Sequence, residues 1–468
     1  MWGSAPSSGS SSRAQAPVRR KALLWSETSA AKAEVFLIAA VEYTGGAMMN
    51  HQLLAVVVFA VTYLLLIINR DRALYFVWGA SALMLLLGVI SPADAGNALN
   101  WNVLGIFFGT MVMAELFVLS GAPAYMATRI VNHTGSAMGA LLAIVTFAGV
   151  LSAFIENVAT VFIVAPLAFE TARRFKVSPV PVLVSVAVMA NLQGVATMIG
   201  DSPAILLATA AKMTFMDFFV MQGKPGLFFA VQAGALATLV IMYFVFRNVK
   251  GQVSKREVPP VSSWAPTGFL VFLVFALAAS SFVPNRHELL PGIITAALGL
   301  LSLVWNWRRD LFTMELAKLD WQTFFLLAGL FVLISSLTVS GAVMTLSDWM
   351  SDMAGSSVLT AYLMIVLVSV AVSAFVDNIP YTIAMLPVAQ LIAVRMGANP
   401  LLFMFALVLS TSLGGNITPI GASANVTAVG MLRRQGHRVT FADFFRIGFP
   451  VTVAAVTVGT SLLWVLWR

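Results

Sequence analysis

Two acid–amide pairs stand inside long apolar runs. Glu156-Asn157 lies in "SAFIENVATVFIVAPL", which starts at Ser152, and Asp377-Asn378 lies in "SAFVDNIPYTIAMLPV", which starts at Ser373. A charged side chain at the centre of a bilayer costs about 2.5–3.5 kcal/mol or more unless it is paired, protonated or hydrated. Carboxylate and amide oxygens are hard ligands that suit a small cation. Asn157, Asn378 and Asp377 are therefore candidate ligands for Na+, and Thr160 and Thr382 join the pairs as candidate site residues. The plainer alternative is that the pairs cap interrupted helices, which Asn157 and Asn378 could do alone. Asp201, in "IGDSP", is a third acid of this kind; the matching position later in the chain is Ala422. Asp201 is as readily an N-cap for the half-helix that follows it.

Other chemistries find little support. There is no cysteine, which excludes disulfides, thiolate metal sites and cysteine nucleophiles. The four histidines (His51, His133, His287, His437) fall at span ends without metal spacing. No phosphate-cradling glycine loop is present, so an ATP-driven pump is disfavoured, and no Ser-His-Asp set gathers at one membrane depth. The chain reads as a non-enzyme without a cofactor, save a coupling ion, Na+ or H+.

The elements that must position these residues are membrane spans. The chain has 468 residues, 60% hydrophobic and only 10% charged, with mean hydropathy +0.92. A soluble domain carries about 25% charged residues, and apolar runs of ~20 residues match ~30 Å of hydrocarbon. The net charge of +8 sits in short loops between spans, which points to membrane topology and not to nucleic acid. Plain spans are expected at about 52–69, 73–90, 101–120, 226–246, 267–283, 290–306, 321–340 and 448–467. Blocks at 136–172, 179–211, 357–394 and 400–431 are interrupted, at Glu156-Asn157, at "NLQGVATMIGDSP" (191–203), at Asp377-Asn378 and at "SLGGNITPIGASAN" (412–425).

The order repeats. Trp101 matches Trp321, and the two "SGA" triplets (120–122, 340–342) match each other. Pro166 matches Pro387, and "FMDFF" (215–219) matches "FADFF" (441–445). Gly194, Thr197, Gly200 and Ser202 match Gly415, Thr418, Gly421 and Ser423. The two DFF stretches read as short amphipathic segments at the interface. Trp78, Trp101, Trp264, Trp305, Trp307, Trp321, Trp464 and Trp467 read as the interfacial aromatic belt.

Let Arg70 and Arg72 be cytoplasmic, and let each acid–Asn block enter and return on one side as a hairpin. The basic residues of the linker and most loop bases, among them Lys255, Arg308, Arg309 and Lys318, then fall inside. Only Lys212, Lys224, Arg286, Arg395 and Arg468 fall outside. That obeys the positive-inside rule and makes the two halves inverted, an arrangement known for secondary transporters. Broken helices must face protein or a water-filled cavity, because backbone groups cannot stay unpaired in lipid. Half-helix ends at a common midplane site are the expected result.

The expected fold class is thus an all-α polytopic membrane protein of two inverted repeats, each with plain spans, a re-entrant hairpin and a broken helix. Residues 1–49 form a poorly ordered N-terminal extension, 50–246 the first repeat, 247–266 a cytoplasmic linker and 267–468 the second repeat. The tail bases Arg13, Arg19, Arg20, Lys21 and Lys32 would lie outside against the charge rule, which favours a true start at Met48 or Met49.

"ENVATVFIVAPL", "ANLQGVATMIGDSPAILLA", "DNIPYTIAMLPVAQ" and "LGGNITPIGASANVTAVGM" resemble the hallmark segments of the ion transporter superfamily. The nearest branch is the group of arsenite permeases, NhaD-type sodium–proton antiporters and P proteins that shares the citrate-transporter-like domain. The resemblance covers about 50–467. It implies two re-entrant hairpins, two broken helices and usually a homodimer. By analogy Glu156, Asn157, Asp377 and Asn378 would be site residues. The glycine-rich breaks map to Gly194–Ser202, with Thr197, Gly200 and Asp201, and to Gly414–Asn425, with Gly415, Asn416, Thr418, Gly421 and Ser423. Gln193 and Ala204 depart from the family's glycine and asparagine, whereas Gly414, Gly415 and Asn425 are kept.

The expected function is secondary active transport by alternating access, with sodium/proton-coupled antiport ahead of a permease for arsenite, citrate or another carboxylate or anion. The expected setting is multi-pass in a bacterial inner membrane, with the bilayer, a small ion or anion substrate and a second copy of the chain as partners, and no nucleic acid.

Overall fold

The computed structural model describes residues 45–69, 72–253, 256–307 and 319–468. The basic tail, Arg70, Lys255, Arg308, Arg309 and Lys318, used above to orient the chain, lie outside the described residues, and so does the side chain of Trp307. The first ten helices are α1 Gly45–Ile68, α2 Ala73–Leu86, α3 Pro92–Ala98, α4 Trp101–Leu119, α5 Ala122–Asn132, α6 Ala137–Ser152, α7 Asn157–Arg174, α8 Pro179–Gly194, α9 Ser202–Ala210 and α10 Leu227–Phe246. After the linker come α11 Ala265–Ser280, α12 Leu290–Trp307, α13 Trp321–Val339, α14 Ala342–Ala354, α15 Val358–Ser373, α16 Asn378–Arg395, α17 Pro400–Gly414, α18 Ser423–Arg434 and α19 Phe441–Trp467. Among the described residues, six helices are long and apolar enough to cross a membrane. Residues 45–49 belong to the first turns of α1. Among the described residues, a two-stranded hairpin, Val220–Met221 with Lys224–Pro225, is the one departure from an all-helical chain.

Local chemistry explains why the two halves fold alike. Asn100 and Asp320, each just before the matched tryptophan, cap α4 and α13 by accepting from Val103 N at 3.1 Å and Thr323 N at 3.0 Å. Both "SGA" triplets end a helix on a left-handed glycine, Gly121 at φ 75° and Gly341 at φ 81°, a conformation that a Cβ disfavours. Ser178 and Asn399 cap α8 and α17, each followed by proline at the first helical position, where the missing N–H is no loss. The expected hairpins are present as α6–α7 and α15–α16, with equal lengths of 16 and 18 residues in both halves. Their connections, 153–156 and 374–377, are short turns.

The halves interlock. Helix α4 of the first half packs on α12 of the second, and α13 of the second packs on α2 of the first. The α4–α12 crossing is glycine-mediated: a Cβ on Gly105 would lie 2.9 Å from Gly292 O, and one on Gly299 would lie 2.8 Å from Gly109 Cα. Small residues let backbones approach closely where lipid supplies no hydrophobic drive. At the reciprocal crossing, Trp78 Nε1 donates to Phe325 O at 2.9 Å and Ser81 Oγ to Gly329 O at 3.1 Å. At the centre stand α8 and α17, buried on all faces, as an all-round apolar helix must be.

Two expectations are corrected. The DFF stretches are not alike: the first is a 3-10 turn, Met216–Phe218, leading into the β-hairpin, whereas the second opens the 27-residue α19. Both aspartates do the same capping job, Asp217 on Thr214 N and Asp443 on Thr440 N. The Gln222-Gly223 turn, with positive φ at both residues, diverts the first chain out of the helix. Trp467 faces protein and not lipid. It is 1% exposed, stacks edge-on with Phe405 and donates to Pro225 O at 3.0 Å.

Candidate functional site

Each hairpin tip meets the break of its own half through the backbone. In the first half, the place a Cβ would take on Gly200 lies 2.7 Å from Ser152 O and 2.9 Å from Ala153 O, with Gly194 O closer still. In the second, the same place on Gly421 lies 2.6 Å from Gly415 O and 2.8 Å from both Ser373 O and Ala374 O. Three carbonyls converge on one point in both halves, and any residue but glycine would fill it. Thr197 and Thr418 pin these cradles by donating to Ala153 O and Ala374 O.

The amide of each tip is held in the same way. Ser152 Oγ donates to Asn157 Oδ1 at 2.6 Å, and Ser373 Oγ to Asn378 Oδ1 at 2.7 Å. Gly194 and Gly415 make room: a side chain on either would strike the oxygen of Asn157 or Asn378. Neither serine was picked out from the sequence, although both open the matched "SAF" triplets.

Beyond this shared frame the halves differ. Asn157 Nδ2 donates to Asp201 Oδ2 at 2.7 Å and to Asn191 Oδ1 at 3.3 Å. Asp201 also caps α9 through Ser202 N at 2.9 Å, so the capping reading of this acid holds while the same carboxylate meets Asn157. The second half has Ala422 in its place, and α18 starts without a side-chain cap. Asp377 caps α16 through Ile379 N at 3.1 Å and accepts from Ser423 Oγ at 2.9 Å. Glu156 stands at the N-cap of α7, where the backbone amides of Val158 and Ala159 face its carboxylate, and the same carboxylate borders the space in front of it.

That space is a cavity of about 740 Å³ lined by Glu115, Glu156, Asp201 and Asp320 together with Gly200 and Ser202, and, among the described residues, by no basic side chain. Ser202 Oγ is buried and has no hydrogen-bond partner among the described residues. Asp377 and Ser423 line a separate cavity of about 280 Å³. The single midplane site expected from the sequence is therefore two cavities, with Gln322 on the wall of both. Glu115 and Asp320 escaped the sequence reading. Asp320 carried a signal, its place before the matched Trp321; Glu115, inside a plain span, carried its charge alone.

The remaining candidates scatter. Asn416 and Asn425 turn across the molecule to Asn191. Gly414 packs on the Val370 backbone and not on the site. Thr160 reaches Ile155 O only at 3.5 Å, and Thr382 Oγ1 is buried without a hydrogen-bond partner among the described residues. Gln193, the departure from the family's glycine, is directed away: it exchanges hydrogen bonds of 3.0 and 2.9 Å with Gln232 on α10.

Comparison with known proteins agrees with this architecture. An uncharacterised transporter of Mycobacterium tuberculosis is 29% identical over 431 residues, spanning 88% of this chain and 98% of the relative. The human P protein is 25% identical over 524 residues, covering 91% of this chain and 61% of that protein. The crystal structure of the Alcanivorax borkumensis YdaH transporter, noted for an unusual topology, superposes with a TM-score of 0.55 at 15% identity, covering 89% of this chain and 97% of that one. The Neisseria gonorrhoeae transporter MtrF, of a class of antimetabolite efflux pumps, gives 0.53 at 13%, covering 82% and 84%. These relatives fit the resemblance to the ion transporter superfamily and describe an integral, multi-pass membrane transporter, not an enzyme. With the model of the citrate transporter family matching residues 62–408, the chain belongs to that family.

Proposed function

We propose that this chain is a cation-coupled secondary transporter that exchanges sodium for protons by alternating access. The observation that carries this reading is the pair of carbonyl cradles, each with a carboxylate in the cavity before it and, among the described residues, no basic side chain lining either cavity. Freed carbonyls and amide oxygens are ligands for Na+, and a carboxylate in a hydrated cavity is the group that exchanges a proton. Asn157, Asn378 and Asp377 are the tip side chains whose oxygens would join the cradle carbonyls in this reading, and four acids in one cavity would repel an uncomplexed anion.

The reading includes two inverted repeats, a homodimer and a bacterial inner membrane. The repeated hairpins and the reciprocal crossings support the inversion, and bacterial relatives support the location. Single cysteines at Ser178 and Ala398, just after the two hairpins, test it. They should label from opposite faces of the membrane; labelling from one face would exclude inversion.

A second reading has one observation in its favour. The family is described as citrate transporters, and α18 begins without a side-chain cap, which leaves its first amides suited to a carboxylate. Proteoliposomes separate the two. An imposed sodium gradient should move protons without added carboxylate. Citrate or arsenite uptake in the absence of any sodium-driven proton movement would replace antiport by the permease reading.

A further inference from the structure

Asn191 lies in the middle of a buried chain of amides that runs from one half of the protein to the other. Its Oδ1 accepts from Asn157 Nδ2 at 3.3 Å, and its Nδ2 donates to Asn416 Oδ1 at 2.8 Å and to Asn425 Oδ1 at 2.9 Å. Asn425 in turn donates to Gly415 O at 2.8 Å and Thr418 O at 2.9 Å, at the start and just past the end of the 3-10 turn Gly415–Ile417 in the second break. Asn416 donates back to Val188 O at 3.2 Å, on the same helix as Asn191. At the other end, Asn157 is held by Asp201. Asn191, Asn416 and Asn425 are 0% exposed and Asn157 is 4% exposed.

Three features set this chain apart from ordinary packing. First, both N–H groups of Asn191 are committed to the second half while its oxygen accepts from Asn157, so both donors of the amide are used. A rotation of the Asn191 amide therefore moves both asparagine partners at once. Second, the chain is one of a kind. The position matching Asn191 is Ser412, whose hydroxyl has no hydrogen-bond partner among the described residues, so the second half sends no equivalent bond back. Third, its far end is the break itself. The carbonyl of Gly415 that Asn425 holds is one of the three that form the second cradle.

We propose that Asn191 is a positioning residue that couples the second cradle to the Asn157–Asp201 tip of the first half. The Asp201 carboxylate orients the Asn157 amide, Asn157 orients Asn191, and Asn191 sets the two asparagines that hold the second break. When the Asp201 carboxylate is removed, the Asn157 bond is lost and the second break is released. The chain thus carries a change at the first hairpin tip to the cradle in front of which Asp377 stands. The proposal rests on the cation-coupled reading for its physiological meaning, but not for its test.

The test is amide hydrogen exchange on the purified full chain, read over residues 415–425. Asp201→Ala should raise exchange there about tenfold, the size expected when one buried hydrogen bond to a charged group is lost. In an Asn191→Leu background, which keeps the volume and removes the amide, the further change Asp201→Ala should have no added effect on that segment. If Asn191→Leu does not fold, Asn191→Ser serves, because its hydroxyl is too short to reach both asparagines. A purely structural Asn191 would lower thermal stability and leave the Asp201 effect intact. That result overturns the proposal, as does unchanged exchange at 415–425 in Asp201→Ala alone. Sodium-driven proton flux in wild-type proteoliposomes is measured alongside. Its absence would remove the antiport reading, and the exchange data would still decide Asn191.

Discussion

The two hairpin tips share a backbone and differ in charge. Around Gly200 and Gly421 the same three carbonyls converge, the same serine holds the same asparagine, and the same threonine pins the turn. In front of the first tip lie four acids in a cavity of about 740 Å³; in front of the second lies Asp377 in about 280 Å³. The duplicated part is the carbonyl frame, and the divergent part is the charge in front of it. A repeat can keep one backbone geometry while its charge diverges, because carbonyl positions follow from the turn, whereas side-chain charge changes with single substitutions.

The sharpest way to break this comparison is at the lone acid. Asp377→Asn leaves its cavity without a charged side chain among the described residues and should lower transport about 100-fold or more, as expected for losing contacts to a charged group worth about 3 kcal/mol. Expression and thermal stability should stay near wild type. Full transport by the folded variant would remove Asp377 from the site. Next come the cradles. Gly200→Ala and Gly421→Ala each place a methyl against three carbonyls, and overpacking of about 2 kcal/mol corresponds to roughly 30-fold weaker ion binding. Sodium-dependent stabilisation in a melting assay should fall equally in the two variants. A loss confined to one would show that only one cradle binds the cation.

Smaller effects sharpen the difference. Glu156→Gln leaves three acids in the first cavity. The loss should be about fivefold in transport, since one charge contact at ~4 Å in a hydrated space is worth about 1 kcal/mol. A loss as large as that of Asp377→Asn would make Glu156 a specific ligand and not one charge among several. Gln193→Gly should change transport less than about twofold. Its cost is the paired bonds to Gln232, about 1 kcal/mol of stability. A large change in transport would mean that Gln193 turns into the site during the cycle.

Much of this was legible in the chain. Span lengths, the four breaks and the repeat depend on local apolar length and on Gly, Pro, Asn and Ser, whose conformational effects act within a few residues. That is why "SGA", the matched Trp caps and the two acid–Asn hairpins are found where the sequence puts them. The identity of the tip amides was equally local, because Asn157 and Asn378 each sit five residues after the serine that holds them. What residues 1–44 do lies outside the described residues.

Only the tertiary structure decided what each polar side chain meets. Glu115 on α4 and Asp320 at the start of α13 join Glu156 and Asp201 because helices far apart in the chain share one cavity wall. Gln193 sits two residues from Asn191 on α8, yet packing sends one to Gln232 on α10 and the other to Asn416 and Asn425 in the second half. On a helix, two residues apart is nearly opposite faces, and which face meets which neighbour is a matter of how the halves interlock. Sequence spacing determined that polar groups would be buried here; the crossings of distant helices determined their partners.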